Sequence, residues 1–284
     1  MHAADGTSAD ARPTDRSLAR GDRVAPAHDV TPPDVRPTRP AYQTVPVTAG
    51  GSVTGAVVLD GPAPADTAFA PVEADRRTCG ASFTDRALDG AAPSAGVRGA
   101  VVWLEGVAAG KAMPGARRYE LALDGCRLAP RHLAATVGGT LNVHGVDALE
   151  SRLRFARAGG PAASDAGRVL LRTTMTAAGQ VVPDQHVLAE AGAVEARDED
   201  RPWVRAWVLA FDQPYFAATG DGGAFALGDV PPGAYRLVAW HERLGRVVTP
   251  VTVTAGQAAA VTVRMRAPSA AAGDAGATTA AATR

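Results

Sequence analysis

Histidine and cysteine are the residue types of this 284-residue chain that most readily bind metal ions. His132 and His144 lie in two β-like segments and would share a metal through their imidazoles if those segments formed neighbouring strands. Two imidazoles make a weak site on their own, and no cysteine or carboxylate motif supports them. The spacing therefore predicts no metal and no cofactor, and binding by His132, His144 or His186 stays an open alternative. The six histidines are His2, His28, His132, His144, His186 and His241.

His241-Glu242, within AWHERLG (239–245), has the residue types of a general acid–base pair. No nucleophile accompanies it, since the chain lacks a G-x-S-x-G elbow, an H-E-x-x-H motif and a glycine-rich phosphate loop. No spacing of aspartates or glutamates selects a catalytic pair. The sequence therefore predicts no catalytic residue and a protein that is not an enzyme.

The four tryptophans, Trp103, Trp203, Trp207 and Trp240, have the side chains that stack on sugars or fill cores. Trp203 and Trp207 are four residues apart in a predicted strand, so we expect them on one face of it. Core packing accounts for all four and is the more common role.

Composition excludes two classes of partner. The 29 Lys and Arg residues balance 29 Asp and Glu residues, whereas nucleic-acid binding requires a basic excess that neutralises phosphates. No stretch approaches the roughly 20 apolar residues of a transmembrane helix, and no apolar signal-peptide core is visible near the N-terminus.

Short apolar runs separated by Gly, Pro and Asp indicate an all-β chain. The alternation is clearest in GSVTGAVVL, where Val53, Val57 and Leu59 share one face. Residues 186–197 have a partly helical composition, but Gly192 and weak apolar spacing leave their structure open. The predicted strands lie within 51–66, 97–107, 119–125, 140–146, 201–211, 234–240, 248–256 and 259–265.

The clearest motif is DGGAFALGDVPPGAYRL, at residues 221–237, which joins two alternating strands through a proline-rich corner. It resembles the carboxypeptidase regulatory-like family, a transthyretin-like β-sandwich with carbohydrate-binding relatives. Residues 51–64 are similar to that family's opening strand and Gly-x-Pro turn. The W-H-E stretch at Trp240 is common in the family, which implies a structural role for His241 as a hydrogen-bond partner of a turn.

About a hundred residues separate these two matching parts, and this insert resembles a cupredoxin. The resemblance rests on DGCRLAPRHLAATVGGTLNV (124–143), HGVDALESRLRF (144–155) and DEDRPWVRAWVLAFDQPYF (198–216). It implies a Greek-key β-sandwich, and it implies a type 1 copper site made by two His, one Cys and one Met.

The copper ligands implied by the cupredoxin resemblance are absent from this chain. The two His positions fall at Ser151 and Arg201, the Cys position at Asp198 and the Met position at Val204. Arg201 places a permanent cation where the metal would lie. Asp198 and Arg201 form a pair in one interpretation and are solvated residues of a charged turn in the other, and the DED sequence favours the solvated turn.

Cys79 and Cys126 are either a disulfide or two buried thiols. Cys79-Gly80 and Gly125-Cys126 resemble the C-G and G-C pairs that flank the insert in proteins combining both units, which implies a disulfide. Such a bond persists outside a reducing cytoplasm.

The sequence thus predicts an all-β protein with a discontinuous regulatory-like sandwich and an inserted cupredoxin-like unit. Its function is predicted to be that of an extracellular or periplasmic binding or accessory module, with an exported protein or a glycan as partner. The alternatives are an electron-transfer copper protein with displaced ligands and a carbohydrate-binding module. The predicted divisions are 1–48 and 267–284 as disordered tails, 49–118 plus 212–266 as the sandwich, and 119–211 as the insert.

Overall fold

The computed structural model describes residues 35, 37, 40–88, 96–115, 117–159 and 166–268. Within these residues the protein is all-β, as predicted, with a single short α-helix and two 3₁₀ turns. Most of both predicted tails, together with His2 and His28, lies outside the described residues. No helix in the described part of the chain is long and apolar enough to cross a membrane.

Seven strands from the two ends of the chain form two sheets, ordered β16-β5-β18-β19 and β17-β2-β20. We call this group the outer sandwich. Its strands are β2 (Gly51–Leu59), β5 (Val101–Glu105), β16 (Phe216–Ala218), β17 (Ala224–Val230), β18 (Gly233–His241), β19 (Gly245–Val253) and β20 (Ala258–Met265).

The alternation in β2 produces the packing of the outer sandwich. Val53 and Val57 are fully buried, whereas the residues between them are half-exposed. β2 lies between antiparallel β17 and parallel β20. A Cβ at Gly55 would lie only 1.8 Å from the carbonyl oxygen of Val261, so this close approach of two strands requires glycine.

Nine strands from the middle of the chain form two further sheets, ordered β13-β10-β7-β8 and β12-β11-β14-β15-β9. We call this group the insert. Its strands are β7 (Arg118–Asp124), β8 (Arg127–Ala129), β9 (His132–Thr136), β10 (Thr140–Gly145), β11 (Ser151–Ala158), β12 (Val169–Met175), β13 (Val181–Asp184), β14 (Gly192–Asp198) and β15 (Arg205–Phe211).

Seven short elements complete the described chain: four strands, one helix and two 3₁₀ turns. Strands β1 (Gln43–Thr44) and β6 (Ala109–Gly110) pair in parallel, and strands β3 (Thr67–Phe69) and β4 (Phe83–Asp85) pair antiparallel. Between the latter two lie a 3₁₀ turn, Glu73–Asp75, and the helix α1, Arg76–Cys79; a second 3₁₀ turn is Asp221–Gly223. The pairing of β1 places ordered structure within the stretch 1–48, which the sequence predicted to be disordered.

The segment from β3 to β4 packs on the insert, although the predicted boundary assigned it to the outer sandwich. Phe69 and Phe83 lie with ring centroids 5.1 and 6.0 Å from Trp203, and all three belong to the insert core. Trp203 precedes β15 and lies in the insert core, whereas Trp207 lies in a separate apolar cluster. The expectation that the two tryptophans share a face is therefore wrong, because the strand begins after Trp203.

A disulfide joins Cys79, at the end of α1, to Cys126 in the turn between β7 and β8. The Cα atoms are 5.5 Å apart, and the bond closes a loop with a sequence separation of 47. It therefore ties the β3–β4 segment to the insert covalently, beside the apolar contacts of Phe69 and Phe83.

Replacing both cysteines in the Cys79→Ser/Cys126→Ser variant should lower the free energy of unfolding by about 4 kcal/mol, because the unfolded chain regains the entropy of the open loop. Urea denaturation of the variant and of the oxidised wild type measures the difference. Chemically reduced wild type is the control and should unfold with the variant. Equal stability of variant and oxidised protein would contradict the tethering role.

Candidate functional site

The four positions that the cupredoxin resemblance aligned with copper ligands lie together at one end of the insert. Asp198 ends β14, Ser151 begins β11, and Arg201 and Val204 lie in the turn between β14 and β15. The Asp198 amide donates to the Val204 carbonyl at 2.8 Å, and the Val204 amide donates to the Arg201 carbonyl at 3.0 Å. Arg201 also donates to the carbonyl of Glu150, which precedes Ser151, at 2.8 Å.

The Arg201 guanidinium is the centre of this site. Nη2 and Nε donate to the two carboxylate oxygens of Asp75 at 2.7 and 2.8 Å, which is a bidentate geometry. Nη1 lies 3.3 Å from the Asp198 carboxylate. The side chains of Arg201, Asp75 and Asp198 are 12%, 6% and 0% exposed, so a single buried guanidinium lies between two buried carboxylates. Hydrogen bonding to Asp75 is the largest cause that raises the pKa of Arg201.

The expectation that Asp198 and Arg201 are solvated turn residues is wrong. The Asp198 carboxylate also accepts hydrogen bonds from the backbone amides of Asp200 and Arg201, at 2.7 and 2.9 Å. Its buried side chain therefore stabilises the turn that follows β14. The sequence missed Asp75, which comes from the 3₁₀ turn before α1, 126 residues away from Arg201. No local pattern around Asp75 distinguishes it from a surface aspartate.

These residues do not fit a type 1 copper ion, which prefers imidazole and thiolate ligands. The site offers a guanidinium, a carboxylate that already accepts three hydrogen bonds, a buried hydroxyl at Ser151 and the methyl groups of Val204. The guanidinium also occupies both carboxylate oxygens of Asp75, which are therefore not open ligand positions.

The structure separates the other histidines that the sequence singled out. His144 pairs with Glu120 on a partly exposed face of β10, and His186 is an exposed neighbour of Asp184. His132 is buried in β9, which belongs to a different sheet from β10. His132 and His144 are therefore not on neighbouring strands, as a shared metal would require, because β9 adds in parallel to β15 instead.

His241 and Glu242 lie at the floor of a cleft of about 610 Å³ between the outer sandwich and the insert. Glu242 is buried and accepts hydrogen bonds from Arg131 Nε and Trp207 Nε1, both at 2.7 Å. Arg205 Nε lies 3.7 Å from the same carboxylate. Arg131 also makes a bidentate pair with Asp85, at 2.9 and 3.2 Å.

The charges in this cleft set two pKa values. Burial alone would raise the pKa of Glu242, but the nearby Arg131, and then His132 and Arg205, lower it to about 2. Burial lowers the pKa of His241 well below its ordinary value of 6.5, and the His132 ring, whose centroid lies 4.6 Å away, lowers it further. At neutral pH Glu242 is thus ionised and His241 is neutral.

His241 bonds to a turn, as expected. Its Nδ1 accepts a hydrogen bond from the backbone amide of Arg243 at 3.2 Å. The residue is buried, with only 3% of its surface exposed. The neighbouring Trp240 is fully buried and packs edge-on against His132 and Trp207, with centroids 5.3 and 5.4 Å away. All four tryptophans are buried, so none presents a face for stacking on a sugar.

Comparison with known proteins gives two partial likenesses. Residues 190–261 match the family described as polysaccharide lyase family 4, domain II, which spans the end of the insert and most of the second part of the outer sandwich. No curated protein matches the chain.

Solved structures that resemble part of the chain include amicyanins. A reduced Cu(I) form of an amicyanin mutant at pH 4 is 17% identical over 35% of this chain and 85% of its own, with a TM-score of 0.27. Amicyanin from Paracoccus versutus is 13% identical over 34% of this chain and 84% of its own, with the same TM-score of 0.27. Similarity at this level carries no argument about function.

The Arg201→Met variant should lose about 3 kcal/mol of unfolding free energy, because Asp75 and Asp198 would be left as buried charges without a cation. Chemical denaturation measures the loss. Adding Asp75→Asn to the same variant should recover part of it, since one uncompensated charge is then removed. A loss below about 0.5 kcal/mol, as for a surface pair, would contradict the buried ion pair.

Stability should decrease as the pH falls below 6.5, because unfolded His241 gains a proton that the folded protein does not bind. The loss from this residue reaches up to about 2 kcal/mol at pH 5. Glu242 adds a further loss as the pH falls from 4.5 towards 2. Denaturation at several pH values should show a shallower slope between pH 7 and 5 for His241→Asn, which keeps a hydrogen-bond acceptor. Equal slopes for the wild type and His241→Asn would contradict the assignment.

Proposed function

We propose that this protein is a non-catalytic, exported binding or accessory module. In this proposal the outer sandwich is a carboxypeptidase regulatory-like, transthyretin-like domain. The insert is a cupredoxin-like unit in which an ion pair replaces the type 1 copper site. The work of such a protein is to present surfaces to another exported protein or to a glycan.

The observation that carries the proposal is the position of the Arg201 guanidinium. It lies among the residues that the cupredoxin resemblance aligns with copper ligands, and it is held by Asp75 and Asp198. A cation of the protein therefore takes the place and the charge of the metal. The insert retains a packed core around this end, since Val204 is fully buried.

The absence of a reaction is inferred from how the His241 and Glu242 side chains are used. Glu242 is ionised and already accepts hydrogen bonds from Arg131 and Trp207, so it is a poor proton acceptor. Neutral His241 has its Nδ1 occupied by a backbone amide. Both side chains are buried, with residue exposures of 3% and 6%, which leaves little of either for a substrate.

Export is inferred from the Cys79–Cys126 disulfide, because such bonds persist in oxidising compartments and are rare in the cytosol. The periplasm and the extracellular space both satisfy this requirement. The same disulfide removes both thiols of the chain as copper ligands.

Two alternatives receive less support from the geometry. An electron-transfer copper protein with displaced ligands would need His132, His144 or His186 to converge with a thiolate. These histidines lie apart in the described structure, and both cysteines are bonded to each other. A carbohydrate-binding module that used tryptophan stacking would need an exposed indole, and all four tryptophans are buried.

Titration of the full-length, disulfide-bonded protein with Cu(II) should produce no intense blue absorption band, because the proposed site offers neither thiolate nor imidazole. Visible absorption spectroscopy makes this measurement. An intense band from wild-type protein would overturn the proposal.

A matched variant tests whether the ligand positions are assigned correctly. Ser151→His, Asp198→Cys, Arg201→His and Val204→Met together restore the ligand set, and Asp75→Asn prevents an uncompensated buried carboxylate. A variant that folds by circular dichroism should gain the blue band that the wild type lacks. A folded variant without the band would contradict the cupredoxin-like assignment of these four positions.

A further inference from the structure

Four arginines lie side by side across the five-stranded sheet of the insert. Arg154 of β11 is directly opposite Arg172 of β12 on one side and Arg197 of β14 on the other. Arg197 is in turn opposite Arg205 of β15. Because directly opposite residues of neighbouring strands share a face of the sheet, these four side chains form one row, which we call the arginine row. Neighbouring strands are about 4.8 Å apart, so the row spans about 14 Å.

The arginine row lies on the outer face of the sheet. Phe155, the next residue along β11, faces the opposite way and is fully buried in the insert core. The side chains of Arg172 and Arg197 are 62% and 54% exposed. At the other end of the row, Arg205 is 22% exposed and lies 3.7 Å from Glu242, at the floor of the cleft. The row therefore begins in solvent and ends where the insert meets the outer sandwich.

Each member of the arginine row makes a single-point contact within the described part of the protein. The contacts are Arg172 with the Glu199 carboxylate at 3.3 Å, Arg154 with the Gly167 carbonyl at 3.1 Å, Arg197 with the Glu195 carboxylate at 3.6 Å, and Arg205 with the Glu242 carboxylate at 3.7 Å. A guanidinium has five N–H donors, so these contacts leave the row with donors for an external anion. Arg152, on the same face, differs because Asp200 accepts two of its donors, at 2.6 and 3.0 Å.

The arginine row is unfavourable for the fold alone. Like charges directly opposite each other in a sheet are destabilising, and the row contains three such neighbouring pairs. The acids that contact the row relieve part of this repulsion from its flanks. Proteins retain locally unfavourable arrangements chiefly at functional sites. An anion that bound across the strands would place negative charge beside all four guanidinium groups and would remove the rest of the repulsion.

We propose that the arginine row binds an acidic polysaccharide that lies across the strands of the insert sheet. One guanidinium per strand offers a cation about every 4.8 Å along such a chain. Guanidinium groups match carboxylates through two parallel hydrogen bonds, which favours a glycan built of uronic acids. Recognition by charge needs no exposed indole, and all four tryptophans are buried. The inference deepens the proposed binding of a glycan and rests on that role, but not on the loss of copper.

Charge density favours a glycan over a nucleic acid as the ligand. Duplex DNA carries one negative charge per about 1.7 Å of its axis, and its binding depends on a basic excess. This chain has no net charge, and the row supplies only four cations. A polyuronate carries a single carboxylate on each sugar, which a row of separate guanidinium groups can neutralise.

The test measures binding of fluorescently labelled alginate oligosaccharides, which consist of uronic acids, to the full-length protein by fluorescence anisotropy. Replacing the two central arginines in Arg154→Gln/Arg197→Gln should weaken binding at least about tenfold, because two charge-assisted contacts are lost. The control Arg264→Gln/Arg266→Gln removes the same charge from exposed positions of the outer sandwich and should bind with wild-type affinity. Wild-type binding should weaken as salt rises from about 50 to about 500 mM, because salt screens exposed charges.

Thermal unfolding of the same variants is the second measurement. The Arg154→Gln/Arg197→Gln variant should unfold at the wild-type temperature or above it, because the two substitutions remove all three neighbouring pairs of like charge. A lower unfolding temperature would contradict the inference that the row is retained for a ligand at a cost to the fold.

Three binding results would overturn the acidic-polysaccharide site. They are no binding of alginate to the wild type, an equal loss of affinity in the two double variants, and binding of neutral dextran oligosaccharides as tight as that of alginate. Duplex DNA that bound as tightly as alginate at the same salt concentration would replace the glycan by a nucleic acid. The copper titration does not involve the arginine row, so a failure of either proposal is recognised separately.

Discussion

The buried carboxylate of Glu242 constrains how the two halves of this protein meet. Glu242 follows β18 of the outer sandwich, yet the Arg131, Trp207 and Arg205 groups that face it all belong to the insert. A buried carboxylate without compensation costs several kcal/mol. The insert is therefore held in the orientation that delivers two hydrogen-bond donors and the nearby charge of Arg205, and Asp85 holds Arg131 in place from a third segment. The apolar contact between Trp207 of the insert and Trp240 of the outer sandwich buries surface where the two halves meet. The charged contacts set how the two halves are positioned relative to each other.

The same principle operates at the other end of the insert, where the buried charge is positive. Arg201 is compensated by Asp75 and Asp198, and it also reaches the Glu150 carbonyl. One guanidinium thus joins three segments, as a metal ion with several protein ligands would. A fixed cation does this at every pH in the physiological range and needs no metal supply. The ion pairs of Arg201 therefore order this end of the insert.

The sequence predicted well those strands that have one buried face and one face exposed to solvent. β10 and β18 lie within one residue of their predicted bounds, and β2 begins where predicted but ends at Leu59, before the Gly-Pro turn. β9 and β14 were missed because their short, alanine-rich sequences have little apolar contrast. β14 also begins at Gly192, whose φ is 148°. A glycine at this point predicts a break in the strand when only the local sequence is considered. Pairing with β11 and β15 overrides that propensity, and pairing is not visible in a local window.

The candidate site was predictable as a set of positions but not as an arrangement. Ser151, Asp198, Arg201 and Val204 were identified from the resemblance, yet the DED turn read locally as solvated. What buries Arg201 is Asp75, and what holds Arg131 over Glu242 is Asp85; these acids flank the helix that carries Cys79. The β3–β4 segment therefore supplies a counter-charge both to Arg201 and to Arg131. Because the disulfide fixes that segment to the insert, the covalent bond and the two ion pairs reinforce one another. A short segment whose sequence shows no strand or helix periodicity thus contributes to both buried ion-pair sites.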